Sequence, residues 1–271
     1  MADLTHTISR PVLKISTDQH AWEEDEIVTE YPLTIFLNDE EFATIVCTPA
    51  DLEEMVIGFL AAEGAIKQYD EIKQLTIDEA QGFAYVDLHQ KTQLSQSFFS
   101  KRRITSCCGK SRQSFYFFSD ARTAKPVEGT TTITPAQGIR LMQELQSTSE
   151  IHRQTGGVHN AALCTPDGPV LQYSDIGRHN ALDKIYGECL RKGISTQDKI
   201  LVFSGRISSE VLLKAAKIGA GIILSKSAPT ELALQLAEEL NITAVGFVRN
   251  GKMNVYTHAQ RIQLDERETA D

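Results

Sequence analysis

The sequence lacks several features that would each assign it to a familiar class. It contains no apolar run near the roughly 20 residues that cross a bilayer, so we expect no membrane span. It lacks a basic excess, since its formal net charge is −9, and this argues against a general nucleic-acid binder. The first residues show neither a cationic nor an apolar segment, so we expect no secretory signal.

Cysteine is scarce, with five residues, and no Cys-x-x-Cys occurs. The number is odd, and Cys47, Cys164 and Cys189 lie in apolar segments. This pattern predicts free thiols in a reducing cytoplasm rather than a disulfide framework. Zinc is not expected either, because adjacent cysteines do not easily occupy two corners of one tetrahedron.

The remaining two cysteines are adjacent, Cys107 and Cys108, and Gly109 follows them. Five of the twelve residues in 101–112 are basic. A thiol reacts as its thiolate, and nearby cations lower its pKa. Cys108 is the better candidate nucleophile because Gly109 leaves one side open. Cys107 could resolve an intermediate or form a vicinal disulfide, and a plain alternative is that both thiols are incidental.

The first half of the chain predicts strands and one helix, an α+β arrangement. Asn38-Asp39 predicts a turn between two strands. A helix is predicted from Thr48, an N-cap candidate followed by proline, to about Glu63, and Gly64 would terminate it. Residues 89–112 are predicted to be mostly loop. The predicted strands are 27–37, 42–47, 72–78 and 83–88.

In the second half, short apolar strands alternate with helices, which predicts a mainly parallel or mixed sheet with helices on its faces. We expect an N-terminal α+β domain over 1–125, a C-terminal α/β domain over 126–262 and a disordered tail over 263–271. The predicted helices are 134–150, 178–192, 208–219 and 229–240. The predicted strands are 158–164, 169–173, 199–204, 221–225, 242–248 and 252–257.

Several turns of the second half carry residue types that bind anions. Glycine, serine and a cation follow strand ends or begin helices, where backbone N–H groups point outward. Ligands of open α/β sheets bind beyond the carboxyl ends of the strands, so these turns together predict a large polyanionic ligand such as a nucleotide. The candidates are Arg178 and His179; Ser204, Gly205, Arg206 and Ser208; Lys226; and Phe247, Arg249 and Lys252.

Each of these signals alone has a plainer alternative. Serine-capped helices are common, and Asn250-Gly251 predicts a plain hairpin turn. His159 and His179 could be structural histidines. Asp175 could cap a helix rather than act as a base.

Taken together, these motifs resemble the formate dehydrogenase accessory sulfurtransferase family, FdhD, from about Ile27 to Ile262. The resemblance is carried by five stretches: Ser106-Cys-Cys-Gly109, Gly156-Gly-Val-His159, Asp175-Ile-Gly-Arg-His-Asn180 with Asp183-Lys184, Ser204-Gly-Arg-Ile-Ser-Ser-Glu210, and Gly246-Phe247 through Tyr256-Thr-His258.

The resemblance implies a sulfur carrier that takes sulfur from a cysteine desulfurase as a persulfide on Cys108. The sulfur would pass to a molybdenum cofactor, the bis-molybdopterin guanine dinucleotide form, before insertion into formate dehydrogenase. The resemblance also implies homodimers, a cytidine-deaminase-like C-terminal fold without zinc, and cofactor binding by the stretch Phe247, Val248, Arg249, Asn250, Gly251 and Lys252. The family's second loop cysteine corresponds to Ser111, so Cys107 is the remaining candidate helper.

Two other functions stay open at this point. A non-catalytic chaperone could bind the cofactor and dock it onto the apo-enzyme, with incidental cysteines. A nucleoside deaminase follows from fold analogy alone, and the chain lacks the His-x-Glu and Pro-Cys-x-x-Cys signature of zinc deaminases.

Overall fold

The computed structural model describes residues 5–90, 103–104 and 124–264. In these residues the chain forms a two-stranded hairpin, a five-stranded sheet and a six-stranded sheet. Part of the predicted domain boundary near 125, and residues 265–271 of the predicted tail, lie outside the described residues. No described helix combines the length and apolar character needed to cross a membrane.

The five-stranded sheet has the order β5-β6-β3-β4-β7 and carries helix α1, Leu52–Ala62, on one face. Alternation places Leu33, Ile35 and Leu37 on the buried face. The predicted turn is confirmed, since Asn38 and Asp39 adopt positive φ values of 49° and 68°. The strands are β3 Tyr31–Leu37, β4 Glu40–Cys47, β5 Ile72–Asp78, β6 Phe83–Leu88 and β7 Arg103–Ile104.

The predicted start of α1 at Thr48 is wrong. The helix begins at Leu52 after an N-cap Asp51 that makes no side-chain cap. The Thr48 hydroxyl instead accepts a hydrogen bond from the Ile176 amide at 3.1 Å. A partner far along the chain therefore takes the oxygen that would otherwise have capped the helix.

Three strands were not predicted. β1 Thr7–Ile15 pairs antiparallel with β2 His20–Val28, so the predicted strand over 27–37 is divided between β2 and β3. The acidic run Glu23–Glu26 has low strand propensity, which hides β2 in the sequence. The short β7 lies in the segment predicted to be mostly loop, where it pairs parallel with β4.

The six-stranded sheet has the order β13-β12-β11-β10-β8-β9. The predicted strands and helices of this half are confirmed, each end within two residues of its prediction. β10, β11 and β12 are parallel, and the other pairs are antiparallel. A further short helix, α3, begins after Ser149 and was not predicted. The strands are β8 His159–Thr165, β9 Gly168–Asp175, β10 Ile200–Phe203, β11 Ile222–Ser225, β12 Thr243–Arg249 and β13 Lys252–Val255. The helices are α2 Pro135–Thr148, α3 Glu150–Thr155, α4 Arg178–Lys192, α5 Ser209–Ile218 and α6 Glu231–Glu239.

Helices cover both faces of this sheet. Leu182, Val211 and Leu236, from α4, α5 and α6, belong to a core on one face. Leu141 and Leu145 of α2 pack on the other face. The described part of this half is therefore a three-layer α/β/α arrangement around a mixed sheet.

Helices α1 and α4 join the two larger sheets. A Cβ added to Gly58 would lie 1.8 Å from the Asp183 carbonyl oxygen, and one on Gly187 would lie 1.8 Å from that of Glu54. Only glycine permits this close helix contact. The two halves of the chain thus share a tightly packed helix pair.

Candidate functional site

One edge of the six-stranded sheet collects most of the predicted site residues. The parallel strands β10, β11 and β12 end there and are followed by 204–206, 226–227 and the turn after Arg249. The antiparallel β8 begins at the same edge with His159, and β9 ends there with Asp175. We call the residues at this edge, His159, Asp175, Arg178, His179, Ser204–Ser208, Lys226, Ser227, Phe247–Lys252 and Asn254, the site edge.

Hydrogen bonds tie neighbouring loops of the site edge together. The Ser204 amide donates to the Asn160 carbonyl oxygen at 3.0 Å, and the Asn160 amide donates to Ser204 Oγ at 2.9 Å. The Ser227 hydroxyl donates to the Ser204 carbonyl oxygen at 3.1 Å. The Phe247 amide donates to the Ser227 carbonyl oxygen at 3.2 Å. Ser204 therefore fixes β8, β10 and β11 relative to one another.

Gly205 occupies a position without room for a side chain. A Cβ there would lie 2.8 Å from the Phe203 ring and 3.4 Å from His159 Nδ1. The next residue, Arg206, is exposed. The Ser208 hydroxyl accepts a hydrogen bond from the Val211 amide and caps α5. The turn thus presents the Arg206 guanidinium outward, beside a capped helix N-terminus.

The end of β12 forms an aromatic and cationic recess. Phe247 has a positive φ of 54°, and the strand register shifts between Gly246 and Arg249. The Arg249 guanidinium lies 5.3 Å from the centre of the Phe247 ring. Val248 between them is buried in the core. A cavity of about 370 Å³ is lined by Phe247, Arg249, Asn250, Lys252 and Asn254.

Sequence reasoning overlooked Asn254 and Ser227 as members of this edge. Asn254 lies opposite Gly246 in the β12–β13 pair, and its side chain reaches the cavity. The period of two along β13 could have identified it, because Lys252 and Asn254 share one face. The contact of Ser227 with Ser204 depends on β10 and β11 lying side by side in the sheet. No local sequence pattern indicates that pairing.

Helix α4 brings Arg178 and His179 to the far end of the site edge. His179 Nε2 lies 3.3 Å from Glu210 Oε2 of α5. Burial lowers the pKa of His179, and the nearby Glu210 carboxylate opposes this effect. This contact favours the structural alternative for His179, which holds α4 and α5 together.

Asp175 is fully buried behind α4 and forms an ion pair at 2.9 Å with the equally buried Lys184. Its carboxylate also accepts hydrogen bonds from the amides of Gly177 and Thr48, at 2.8 and 3.1 Å, and from the Asn180 side chain at 2.8 Å. The N-cap of α4 is Gly177, and no side chain caps this helix, so the capping alternative for Asp175 is wrong. Asp175 instead binds the residue at the N-cap position and the Asn180 side chain, and it links the start of α4 to the end of β4.

His159 lies at the middle of the site edge and is partly buried. Its ring stacks on Phe203 with centroids 6.5 Å apart. Burial lowers the pKa of His159, and the charges of Arg178 and His152 lower it further, while Asp175 opposes them. The neutral imidazole is therefore favoured at this position.

The predicted catalytic residues Cys107 and Cys108 lie outside the described residues. The described cysteines, Cys47, Cys164 and Cys189, are buried free thiols. Burial raises the pKa of Cys47 and Cys164 to about 12 and that of Cys189 to about 11. These three residues are therefore protonated and poorly suited to sulfur transfer.

The fold and the site edge together define a mixed α/β protein whose strand ends present cations, hydroxyls and an aromatic ring. Such strand ends are where open α/β sheets bind phosphate-bearing ligands. The model of the FdhD/NarQ family matches residues 28–263, and the chain belongs to this family.

Named relatives agree with this membership. The chain is 60% identical over 261 residues to the sulfur carrier protein FdhD of Halalkalibacterium halodurans, covering 96% of this chain and 97% of that protein. It is 57% identical to the sulfur carrier protein FdhD of Bacillus subtilis, covering 95% and 98%. A crystal structure assigned to a formate dehydrogenase accessory protein from Desulfotalea psychrophila superposes with a TM-score of 0.78 at 26% identity, over 96% of this chain and all of that chain.

Proposed function

We propose that this protein is a sulfur carrier required for formate dehydrogenase activity. It would accept sulfur from a cysteine desulfurase and pass it to the molybdenum cofactor, bis-molybdopterin guanine dinucleotide, before that substrate enters formate dehydrogenase. The observation that carries the proposal is the 60% identity, over nearly the whole chain, to a protein named as a sulfur carrier. On this proposal the protein is a sulfurtransferase.

Cys108 is the proposed carrier of the sulfur. Its thiolate attacks the terminal sulfur of the desulfurase persulfide, the S–S bond of the donor breaks, and the donor cysteine leaves as a thiolate. Five basic residues within 101–112 favour the thiolate of Cys108, and Gly109 gives access to it. The three buried thiols support this choice because their pKa values are raised by burial.

The site edge is the proposed binding surface for the cofactor. Arg206, Lys226 and Lys252 would meet its phosphates, and the cavity beside Phe247 would receive a ring. These groups belong to adjacent strand ends, so a ligand with two pyrophosphates can contact several of them at once.

The remaining parts of the proposal rest on the family resemblance. They are a homodimeric protein in the cytoplasm, a formate dehydrogenase apo-enzyme as its client, and a C-terminal sheet of the cytidine-deaminase type. The three-layer arrangement around the six-stranded sheet is compatible with the last of these.

The test compares Cys108→Ala with Cys189→Ala in cells that depend on this protein for formate dehydrogenase activity. Cys108→Ala should reduce activity by at least about a hundredfold, as expected for loss of a covalent carrier. Cys189→Ala should leave activity near the wild-type level, because that thiol is buried and protonated. Full activity in Cys108→Ala would refute sulfur transfer and favour the cofactor chaperone.

A further inference from the structure

The hairpin formed by β1 and β2 extends from the body of the protein as an arm. Nine residue pairs hold its register from Thr7 and Val28 to Ile15 and His20, which corresponds to a length of about 30 Å. At its base the Thr29 amide donates to the His6 carbonyl oxygen, and Val28 packs against Gly157. Gly157 lies two residues before His159, so the arm is anchored beside the site edge.

The two faces of the arm differ in chemistry. On one face Lys14 forms ion pairs with Glu23 and Asp25, at 3.5 and 3.0 Å. The opposite face carries Leu13 paired with Trp22, and Ile15 follows on the same side. These side chains are 41%, 70% and 74% exposed. We call these three residues the tip patch.

An exposed apolar patch of this kind is typical of a surface that binds a partner. A two-stranded hairpin is only marginally stable in water by itself, and large exposed apolar patches mark interaction sites. Tryptophan offers roughly 250 Å² of surface, so Trp22 at 70% exposure contributes about 170 Å². With Leu13 and Ile15 the tip patch reaches roughly 400 Å², within the size range of functional patches.

The size of the tip patch favours a second copy of the chain as its partner. Covering it once would bury roughly 800 Å² in total, which is typical of weak contacts. In a twofold dimer each copy uses its patch once, so the same contact occurs twice and buries roughly 1,600 Å². That area equals the standard size of a stable interface.

We infer that the tip patch docks on the body of a second copy of this chain and that the two arms hold a homodimer together. The inference assigns a surface to the dimer that the family resemblance implies. It does not depend on sulfur transfer.

The full-length protein offers a direct test because Trp22 is its only tryptophan. Sedimentation velocity over a range of concentrations measures association, and Trp22 emission measures burial of the tip patch. We expect a dimer, with emission moving to shorter wavelength over the same concentration range. A monomer at every concentration, or a dimer with unchanged emission, would overturn the inference.

Two variants of equal charge separate the tip patch from the opposite face. Ile15→Asp and Ala21→Asp each add one carboxylate at the same end of the arm, and they lie in neighbouring pairs on opposite faces. Ile15→Asp should weaken dimerisation by at least about tenfold, because it places a charge in the apolar contact. Ala21→Asp should change it less than about threefold.

Equal weakening by both variants would indicate a general charge effect and would contradict the docking of this face.

A further outcome would indicate that the arm binds formate dehydrogenase instead of a second copy. If the chain stays monomeric and Trp22 emission shifts only after apo-formate dehydrogenase is added, the second copy is the wrong partner. Sulfur loading of Cys108 does not enter either measurement, so the proposed function can hold while this inference fails.

Discussion

Single residues of the site edge are held in place by packing as much as by polar contacts. His159 stacks on Phe203, and Gly205 is the residue that leaves space beside the imidazole. Burial and the charge of Arg178 lower the pKa of His159. The folded protein therefore binds a proton at this ring less readily than the unfolded chain does.

This difference predicts how stability depends on pH. Above the ordinary histidine pKa of about 6.5 the ring is neutral in both states, and its contribution is fully present. As the pH falls through that value the unfolded chain gains the proton first, so stability is lost down to the lowered pKa of the folded state. One such group contributes at most about 1.4 kcal/mol per pH unit.

The measurement is the free energy of unfolding in urea at pH 7.5 and 5.5, for the wild type and for His159→Gln. We expect the wild type to lose more stability on acidification than the variant, because glutamine has no proton to gain in this range. The comparison uses the pH dependence alone, since the variant also loses the ring contact with Phe203. Equal losses in both proteins would contradict a lowered pKa at His159.

At the scale of elements, the site edge is assembled from strand ends. Arg206 follows β10, Lys226 follows β11 and Lys252 begins β13. Each cation lies at or near the surface, and the strand order sets the spacing between them. The edge should therefore act as one extended anion-binding surface.

We expect Arg206→Ala and Lys252→Ala each to weaken the binding of guanosine diphosphate by roughly fivefold to tenfold, as measured by calorimetry. Lys73→Ala is the matched control. It removes the same charge from an exposed position in β5 of the other sheet, and it should leave the affinity unchanged. An unchanged affinity in both edge variants would exclude this surface as the nucleotide site.

Elements with a strong local pattern were predictable from the sequence. After residue 134, short apolar strands alternate with helices along the chain, and the predicted order of these elements is confirmed. The shared edge followed from the rule for open α/β sheets, and the structure brings those turns together. Thr48 failed as a cap because its hydroxyl bonds to Ile176, which no local signal shows. The arm was missed because its second strand is acidic, and its apolar residues are exposed.

For the molecule as a whole, the buried pair of Asp175 and Lys184 links the two larger sheets. Asp175 accepts from Thr48 after β4, and Asn180 donates to both Asp175 and the Val46 carbonyl oxygen. The contact of Gly58 with α4 adds a second link. The α4 N-terminus is thereby fixed relative to β4, the strand on which β7 pairs.

Breaking this pair should destabilise the whole protein. Lys184→Met leaves a buried carboxylate without its cation, and we expect a loss of about 3–5 kcal/mol in the free energy of unfolding. Asp175→Asn should also be strongly destabilising. The double variant should lose less than the sum of the two, because no unpaired charge stays buried. Strictly additive losses in urea unfolding would contradict a coupled pair.

The central claim, that Cys108 carries the sulfur for the cofactor, has one direct measurement. The protein is incubated with a cysteine desulfurase and cysteine, and mass spectrometry of its peptides locates any added sulfur before and after the molybdenum cofactor is supplied. We predict one extra sulfur atom on Cys108 and its loss when the cofactor is added. Sulfur found on Cys107 alone, or a persulfide that the cofactor leaves unchanged, would contradict the claim.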